Sequence, residues 1–367
     1  MHTDVLIVGG GPAGLSAAIA ARMKGLRVTL VDSRRPPIDK PCGEGLLPEA
    51  VAALTELGVP ITEMPGFPFS GIRFSNRNSS VHARFGSVNA FGVRRTALHS
   101  ALMERARAVG VSLVWGKHVA VRDSWRLEIA GRNIAFRWLV AADGLHSPIR
   151  RRAGLDPRVA SRGRFAFRRH FQAQPWTDFV EVYWNGRHQM IVTPTGPDEI
   201  CLALFTNDSR LRISSALRHF PEVERRLAGA RATSIEAGAE TKLSLARAVV
   251  RNNLALVGDA SCSIDGIAGQ GLSLAFQEAL RLADALERDD LQIYSNAHRE
   301  ITRMPVMTTR LMLLMASTPW IQRKTLRLFA AKPALFSKMM AVHSDKASGD
   351  DFGLQELCGL GWQVLRA

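Results

Sequence analysis

Short apolar runs alternate, through the first part of the chain, with longer stretches whose apolar positions recur at helical spacing. Asp4-Val5-Leu6-Ile7-Val8 shows no polar alternation and runs into glycine, the pattern of a strand buried on both faces of a parallel sheet. Residues 15–24 are Ala-rich and predict a helix that Gly25 stops. Arg27-Val28-Thr29-Leu30-Val31 predicts a second buried strand ending at Asp32. Residues 33–48 form a loop rich in Pro and Gly, and 49–57 a short helix. The spacing of Leu98, Leu102, Ala106 and Val109 predicts a helix over 95–109. Strands are expected over 111–115 and 138–142, with a hairpin over 119–134 between them.

The period then changes. Phe165-Phe167-Arg169-Phe171, Phe179-Glu181-Tyr183, Gln189-Ile191-Thr193 and Ile200-Leu202-Leu204 alternate with period two, which predicts a mostly antiparallel sheet with one face covered. Helices follow over about 209–227. Leu254-Ala255-Leu256-Val257 returns to a buried parallel strand, and residues 271–287 predict a strong amphipathic helix. The fold class is therefore α/β: a Rossmann-like lobe that is discontinuous in sequence, a mostly antiparallel β-sheet lobe, and a helical C-terminal region.

Composition narrows the function classes. The chain has 367 residues, 46% hydrophobic and 22% charged, which excludes a disordered, collagenous or coiled-coil protein. Cys42, Cys201, Cys262 and Cys358 are far apart and offer neither a disulfide framework nor a zinc knuckle, so no metal is expected. The most apolar uncharged stretch, 311–321, is too short to span a bilayer, which takes about 20 residues. No signal peptide precedes the first strand, so the expectation is a reduced, cytoplasmic protein. The net charge of +15 is mostly Arg, concentrated at Arg150-Arg151-Arg152, 162–170 and 299–327. No nucleic-acid module accompanies it, and nucleic acid is not an expected partner.

Three motifs carry chemistry. Gly9-x-Gly11-x-x-Gly14, between a strand and a helix, allows a tight turn, a close approach of backbone to a pyrophosphate, and tight helix–strand packing. The helix start offers free N–H groups to the phosphate, and Asp32 can accept from a ribose diol. Leu256-Val257-Gly258-Asp259-Ala260 ends a buried strand where an Asp can meet a ribityl hydroxyl, and Gly269-Gln270-Gly271-Leu272 then opens a helix whose positive end suits a reduced isoalloxazine. The third is Ala142-Asp143-Gly144-Leu145-His146-Ser147-Pro148-Ile149-Arg150.

In this order and spacing the motifs resemble the FAD-dependent monooxygenase superfamily with the para-hydroxybenzoate hydroxylase fold, over residues 1 to about 290. The resemblance implies FAD held by Gly9, Gly11, Pro12, Ala13, Gly14, Asp32, Ser33, Cys42, Gly43, Arg95, Val119, Asp143, Gly144, Gly258, Asp259, Gly269, Gln270, Gly271 and Leu272. It divides the chain into an FAD-binding lobe (1–75, 96–162, 251–290), a substrate lobe (76–95, 163–250) and a helical cap (291–367). Lys40-Pro41-Cys42-Gly43-Glu44-Gly45-Leu46, and Val180-Glu181-Val182-Tyr183-Trp184 followed by Thr193-Pro194-Thr195-Gly196, are similar to the geranylgeranyl-reductase-type branch. Two departures stand out: Cys262 and Gly266 replace the hydroxylase His and Pro, and the halogenase Trp-x-Trp pattern is absent.

The implied activity is a single-component monooxygenase that uses NAD(P)H as a transient reductant and O2, through a flavin C4a-hydroperoxide, to hydroxylate an apolar or aromatic small molecule. The alternative is reduction of a C=C bond in an isoprenoid or other lipid. A halogenase or a flavin-bound scaffold ranks below both. Cys42 is expected to line the pocket without reacting, catalytic residues stay unassigned, His146 and His170 carry no role, and Asp265 reads equally as a turn former or a substrate-facing acid. Residues 301–343 combine Met304, Met307, Leu311, Leu314 and Met315 with Arg303, Arg310, Arg323, Lys324 and Arg327. They read as a helical cap, or as a basic surface for a membrane or an acidic carrier protein.

Overall fold

The computed structural model describes residues 2–86, 90–121, 127–157 and 163–343; Cys358 and Arg162, singled out above, lie outside them. The helices are α1 (Pro12–Met23), α2 (Pro48–Glu56), α3 (Arg95–Ala108), α4 (Pro148–Arg152), α5 (Ile213–Ala216), α6 (Pro221–Arg226), α7 (Gly271–Glu287), α8 (Leu291–Ser317), α9 (Pro319–Ala331) and α10 (Pro333–His343).

The unalternating apolar runs form the centre of one sheet. Its order is Val250–Arg251, Leu254–Leu256, Arg132–Ala141, His2–Val8, Val28–Asp32, Ser112–Trp115, parallel except for the first pair. Val5 sits between Val28 and Trp138, so the first strand is central and its side chains are enclosed on both faces. The expected hairpin is a meander: Val119–Val121 pairs with Leu127–Ile129, which pairs with the long strand Arg132–Ala141. Leu6, Ile7, Leu15, Ile19, Leu30, Val140, Leu256 and Phe276 share this core. Tyr294 of α8 donates from its hydroxyl to the Leu256 carbonyl at 2.7 Å, tying the late strand to the C-terminal helices.

The second sheet runs Ala237–Thr241, Arg164–Gln172, Glu199–Thr206, His188–Gly196, Phe179–Asn185, Gly71–Ser75, Ser80–Arg84. It is antiparallel except where Val180 pairs with Ile72. Strand Gly71–Ser75 thus joins the substrate sheet ahead of residue 76, where the sequence reading starts that excursion.

Both faces of this sheet are covered, not one. Phe167, Met190, Leu202 and Leu204 pack against Ile213 of α5 and Val223 of α6. Val180, Val182, Trp184, Ile191, Ala203 and Phe205 face a core closed by Met312, Met315, Phe329 and Phe336 of α8–α10. Polar residues that alternate as if for water are buried in pairs instead. Glu181 accepts from Arg73 at 2.9 Å, the Trp176 indole at 2.6 Å and the Tyr183 hydroxyl at 3.0 Å. Among the described residues, no helix is long and apolar enough to cross a membrane.

Candidate active site

Glycine contacts shape the groove at the head of the first sheet. Gly9 has φ +112°, and a Cβ there would lie 2.2 Å from the Ala142 oxygen. A Cβ on Gly14 would lie 1.9 Å from the Gly9 oxygen, so only glycine lets α1 pack this close to the strand. A Cβ on Gly11 would meet nothing within 4 Å: this glycine faces open space. Gly11 is also the N-cap of α1, with no side-chain cap, which leaves first-turn N–H groups for an anionic ligand.

Asp32 stands behind the turn. Its carboxylate accepts from Gly10 N–H at 2.6 Å and Arg34 N–H at 2.7 Å, so it braces the glycine loop as well as lining the groove. His99, fully buried on α3, bonds the Gly10 carbonyl through Nε2 at 2.9 Å, and burial holds its pKa below the ordinary range.

The later motifs close the other side. Asp259 lines the groove and pairs with Lys40 at 3.2 Å. Beneath it lies buried Glu278, which accepts from Gly258 N–H and from the Ser261 hydroxyl at 2.7 Å; His298 Nε2 is 3.0 Å away. Glu278 is not among the residues expected from the sequence to form the site. Its signal was there: it falls at i±4 from buried Leu274 and Leu282, a charge on the apolar stripe of α7.

Two orphaned polar atoms mark where a ligand belongs. Arg95 Nε and Asp143 Oδ1 are buried without a partner, and burial pushes the Asp143 carboxyl up. A guanidinium suits a pyrophosphate and a carboxyl suits a hydroxyl or ring N–H. Together with the open face of Gly11 and the uncapped α1, these residues fit FAD.

Of the positions expected to hold it, Gly14, Ser33, Val119 and Gln270 stand off the cavity lining and the others line it. Gly14 is used in packing. Val119 lies in the meander strand. Gln270 turns its carbonyl to the Thr308 hydroxyl at 3.1 Å.

A buried knot joins this groove to the second sheet. Glu44 adopts φ +61°, accepts from Arg95 N–H at 3.0 Å and meets His170 Nε2 at 2.5 Å. Arg168 forks onto Asp39 at 2.6 and 2.7 Å and lies 3.9 Å from Glu44. Cys42 Sγ accepts from Glu44 N–H at 3.3 Å, and the Cys201 thiol points at the Cys42 carbonyl at 3.9 Å. Ligand atoms of Glu44, His170 and Cys201 lie within 4.8 Å of one another, but Arg168 already brings positive charge there. His170 therefore has a role the sequence did not suggest: it anchors the Pro-Cys-Gly loop. Asp265 is the turn former, accepting from Ile267 N–H at 3.1 Å and facing Arg164 at 3.4 Å. His146 is exposed, 3.4 Å from Glu240.

Groove and sheet enclose one cavity of about 540 Å³. Beyond the residues expected to hold the cofactor, its wall includes Phe69, Ile72, Phe74, Val180, Val182, Ile191, Thr193, Ala203 and Phe205 from the strands, with Thr308, Leu311, Met312 and Met315 of α8 and Met339 and Met340 of α10. These residues do not ionise, but Arg34, Lys40, Glu44, His146, Arg168 and Glu240 line the same cavity. Cys42 lines the seam between groove and chamber, its thiol pushed up by burial.

Known proteins share this arrangement. The chain is 28% identical over 356 residues to the 6-methylpretetramide 4-monooxygenase of Streptomyces rimosus, covering 85% of each. It is 27% identical over 317 residues to the menaquinone reductase of Mycobacterium tuberculosis, covering 78% of this chain and 77% of that one. Its fold matches a flavoprotein/dehydrogenase of Cytophaga hutchinsonii with a TM-score of 0.81 at 18% identity, over 93% of this chain and 92% of the other. The sequence profile described as "FAD binding domain" matches residues 2–288. By that match and by its site, the chain belongs to the FAD-binding-domain family of flavoprotein monooxygenases and is an FAD-dependent oxidoreductase.

Proposed function

We propose that this chain is a single-component monooxygenase that spends NAD(P)H and O2 to hydroxylate an apolar, electron-rich, ring-bearing substrate. One observation carries the reading: beside the cofactor groove the cavity has a mainly apolar wall of aromatic, aliphatic and Met side chains from the second sheet, α8 and α10, although Lys40, Glu44, His146, Arg168 and Glu240 also line it. Such a wall favours an apolar body for the substrate and keeps water off the face it covers. Bound FAD would supply the two-electron chemistry, with O2 for hydroxylation or as a hydride source for reduction. The chain's own residues bind and orient. The one dinucleotide fingerprint is used by FAD, so the nicotinamide visits transiently. The similarity to the 6-methylpretetramide 4-monooxygenase over most of both chains supports this reading.

A second reading rests on Cys42. Its thiol lines the cavity and keeps its proton at neutral pH, because burial raises its pKa. From that position it would give a proton to one carbon of a bound alkene while hydride reaches the other, and solvent then reprotonates it. The similarity to a menaquinone reductase supports reduction as the alternative activity.

Oxygen separates the two. The FAD-loaded protein is given NADPH with a polycyclic phenol, or with a prenylated naphthoquinone, in air and under nitrogen. Hydroxylation predicts product only in air, with O2 uptake matching NADPH oxidised. Product formed under nitrogen, carrying a reduced side-chain double bond and lost in Cys42→Ala, overturns it in favour of reduction.

A further inference from the structure

Helices α8–α10 have a feature that neither the groove nor the chamber uses. No Asp or Glu occurs between Ile301 and His343, whereas Arg303, Arg310, Arg323, Lys324, Arg327, Lys332 and Lys338 do. On α8 the exposed positions Arg303, Arg310, Leu314 and Ser317 are spaced by seven, four and three residues, which keeps them on one stripe. On α9, Trp320, Arg323 and Arg327 form another exposed stripe. Arg303, Arg310, Arg323 and Arg327 pair with no carboxylate among the described residues.

The large apolar side chains exposed among the described residues are Met23, Ile235, Leu314 and Trp320, and the last two sit among these arginines. The Lys324 ammonium lies 6.0 Å from the Trp320 ring centre. The inner sides of the same helices form the chamber wall through Leu311, Met312, Met315, Met339 and Met340, of which Leu311 and Met339 are only half-buried.

We infer that the outer surface of α8–α10 docks the protein on an anionic lipid bilayer, so that an apolar substrate passes from the lipid between α8 and α10 into the chamber. Arg303, with Glu300 three residues before it on α8, and Arg310, Arg323 and Arg327, which have no carboxylate that near in sequence, are drawn to anionic headgroups. An exposed Trp and Leu between the arginines suit the headgroup–acyl boundary, where an amphipathic ring has one end wet and one end apolar. The inference concerns a surface, and it holds for hydroxylation or reduction alike.

The test sediments the FAD-loaded full chain with vesicles of phosphatidylcholine alone, or of phosphatidylcholine mixed with phosphatidylglycerol. Binding is expected to the mixed vesicles and to fall with added salt. Each of Arg310→Gln, Arg323→Gln and Arg327→Gln is expected to weaken it about fivefold, and the three together about a hundredfold. Trp320→Ala is expected to weaken binding without changing its salt dependence. Unchanged FAD content and unchanged substrate-free NADPH oxidation show that the variants are folded. Equal partition to both vesicle types, or a triple variant that binds like the parent, overturns the inference. So does salt-sensitive binding to an acidic acyl-carrier protein without vesicle binding.

Discussion

The dinucleotide groove and the apolar chamber share one cavity but are built differently. The groove is set by backbone: glycines at Gly9 and Gly14 where a Cβ would strike a carbonyl oxygen, and a helix start left uncapped. The chamber is set by side chains from the strands around residues 69–74 and 180–205 and from α8 and α10. Packed backbone tolerates almost no substitution where a Cβ would strike a carbonyl oxygen, as at Gly9 and Gly14, whereas a wall of side chains can be reshaped without touching its neighbour. The same protein can thus keep its cofactor while its substrate changes.

The sharpest way to break that contrast is Gly14→Ala. The added methyl meets the Gly9 oxygen, a backbone atom that cannot move without the turn. The expected cost is of the order of 4 kcal/mol, with loss of bound flavin. Gly11→Ala, into open space, is expected to leave the unfolding midpoint unchanged and weaken flavin retention only. Equal thermal stability of the two variants would remove the claim that backbone packing shapes the groove.

Phe205→Ala probes the other side. Phe205 is 3% exposed and belongs to the chamber wall. Truncation is expected to cost about 3 kcal/mol through the cavity it leaves. Flavin content stays at one per chain, and bulkier substrates begin to stimulate NADPH oxidation. Loss of flavin from this variant would show that the two regions are not separable.

The same contrast explains what could be read from the sequence. Gly9, Gly11, Gly14, Asp32, Gly258 and Asp259 were legible because backbone constraints leave fixed residue types at fixed spacings. The parallel strands were legible because burial on both faces removes alternation. The second sheet misled. Its pattern predicts one covered face, yet Glu181, Gln189 and Arg164 are each buried against a partner distant in sequence, as in Arg73 to Glu181 and Arg164 to Gln189. Period two records the pleat, not what covers it. Glu44, His170 and Glu278 escaped for a related reason: a buried charge is defined by partners that the linear order does not show.

Glu44 is where the contrast is expected to blur, with a smaller effect. It touches Arg95 of the groove, His170 of the substrate sheet and the Cys42 loop at once. Glu44→Gln keeps an acceptor for Arg95 N–H but leaves Arg168 and His170 without the charge they face. A cost of about 2 kcal/mol is expected, together with weaker flavin binding and a shift in substrate KM. A change in only one of the two readouts would place Glu44 on one side of the seam.

The smallest effect tests whether the groove's backbone stands alone or leans on a titrating group. His99 is fully buried, bonded to the Gly10 carbonyl, and has no partner at Nδ1. Burial lowers its pKa from the ordinary 6.5, so the folded protein keeps it neutral where the unfolded chain takes up a proton. The unfolded state therefore binds more protons just below pH 6.5, and the stabilisation present above that pH is lost as pH falls toward the depressed value. The slope from this one group is at most about 1.4 kcal/mol per pH unit. His99→Gln keeps an N–H for the Gly10 carbonyl and removes the titration. Its stability is expected to fall less steeply than the parent's below pH 6.5, with the two slopes equal above it and flavin release following the same curve. Parallel curves throughout would mean that the turn holds its shape without His99, and that the glycine packing alone is enough.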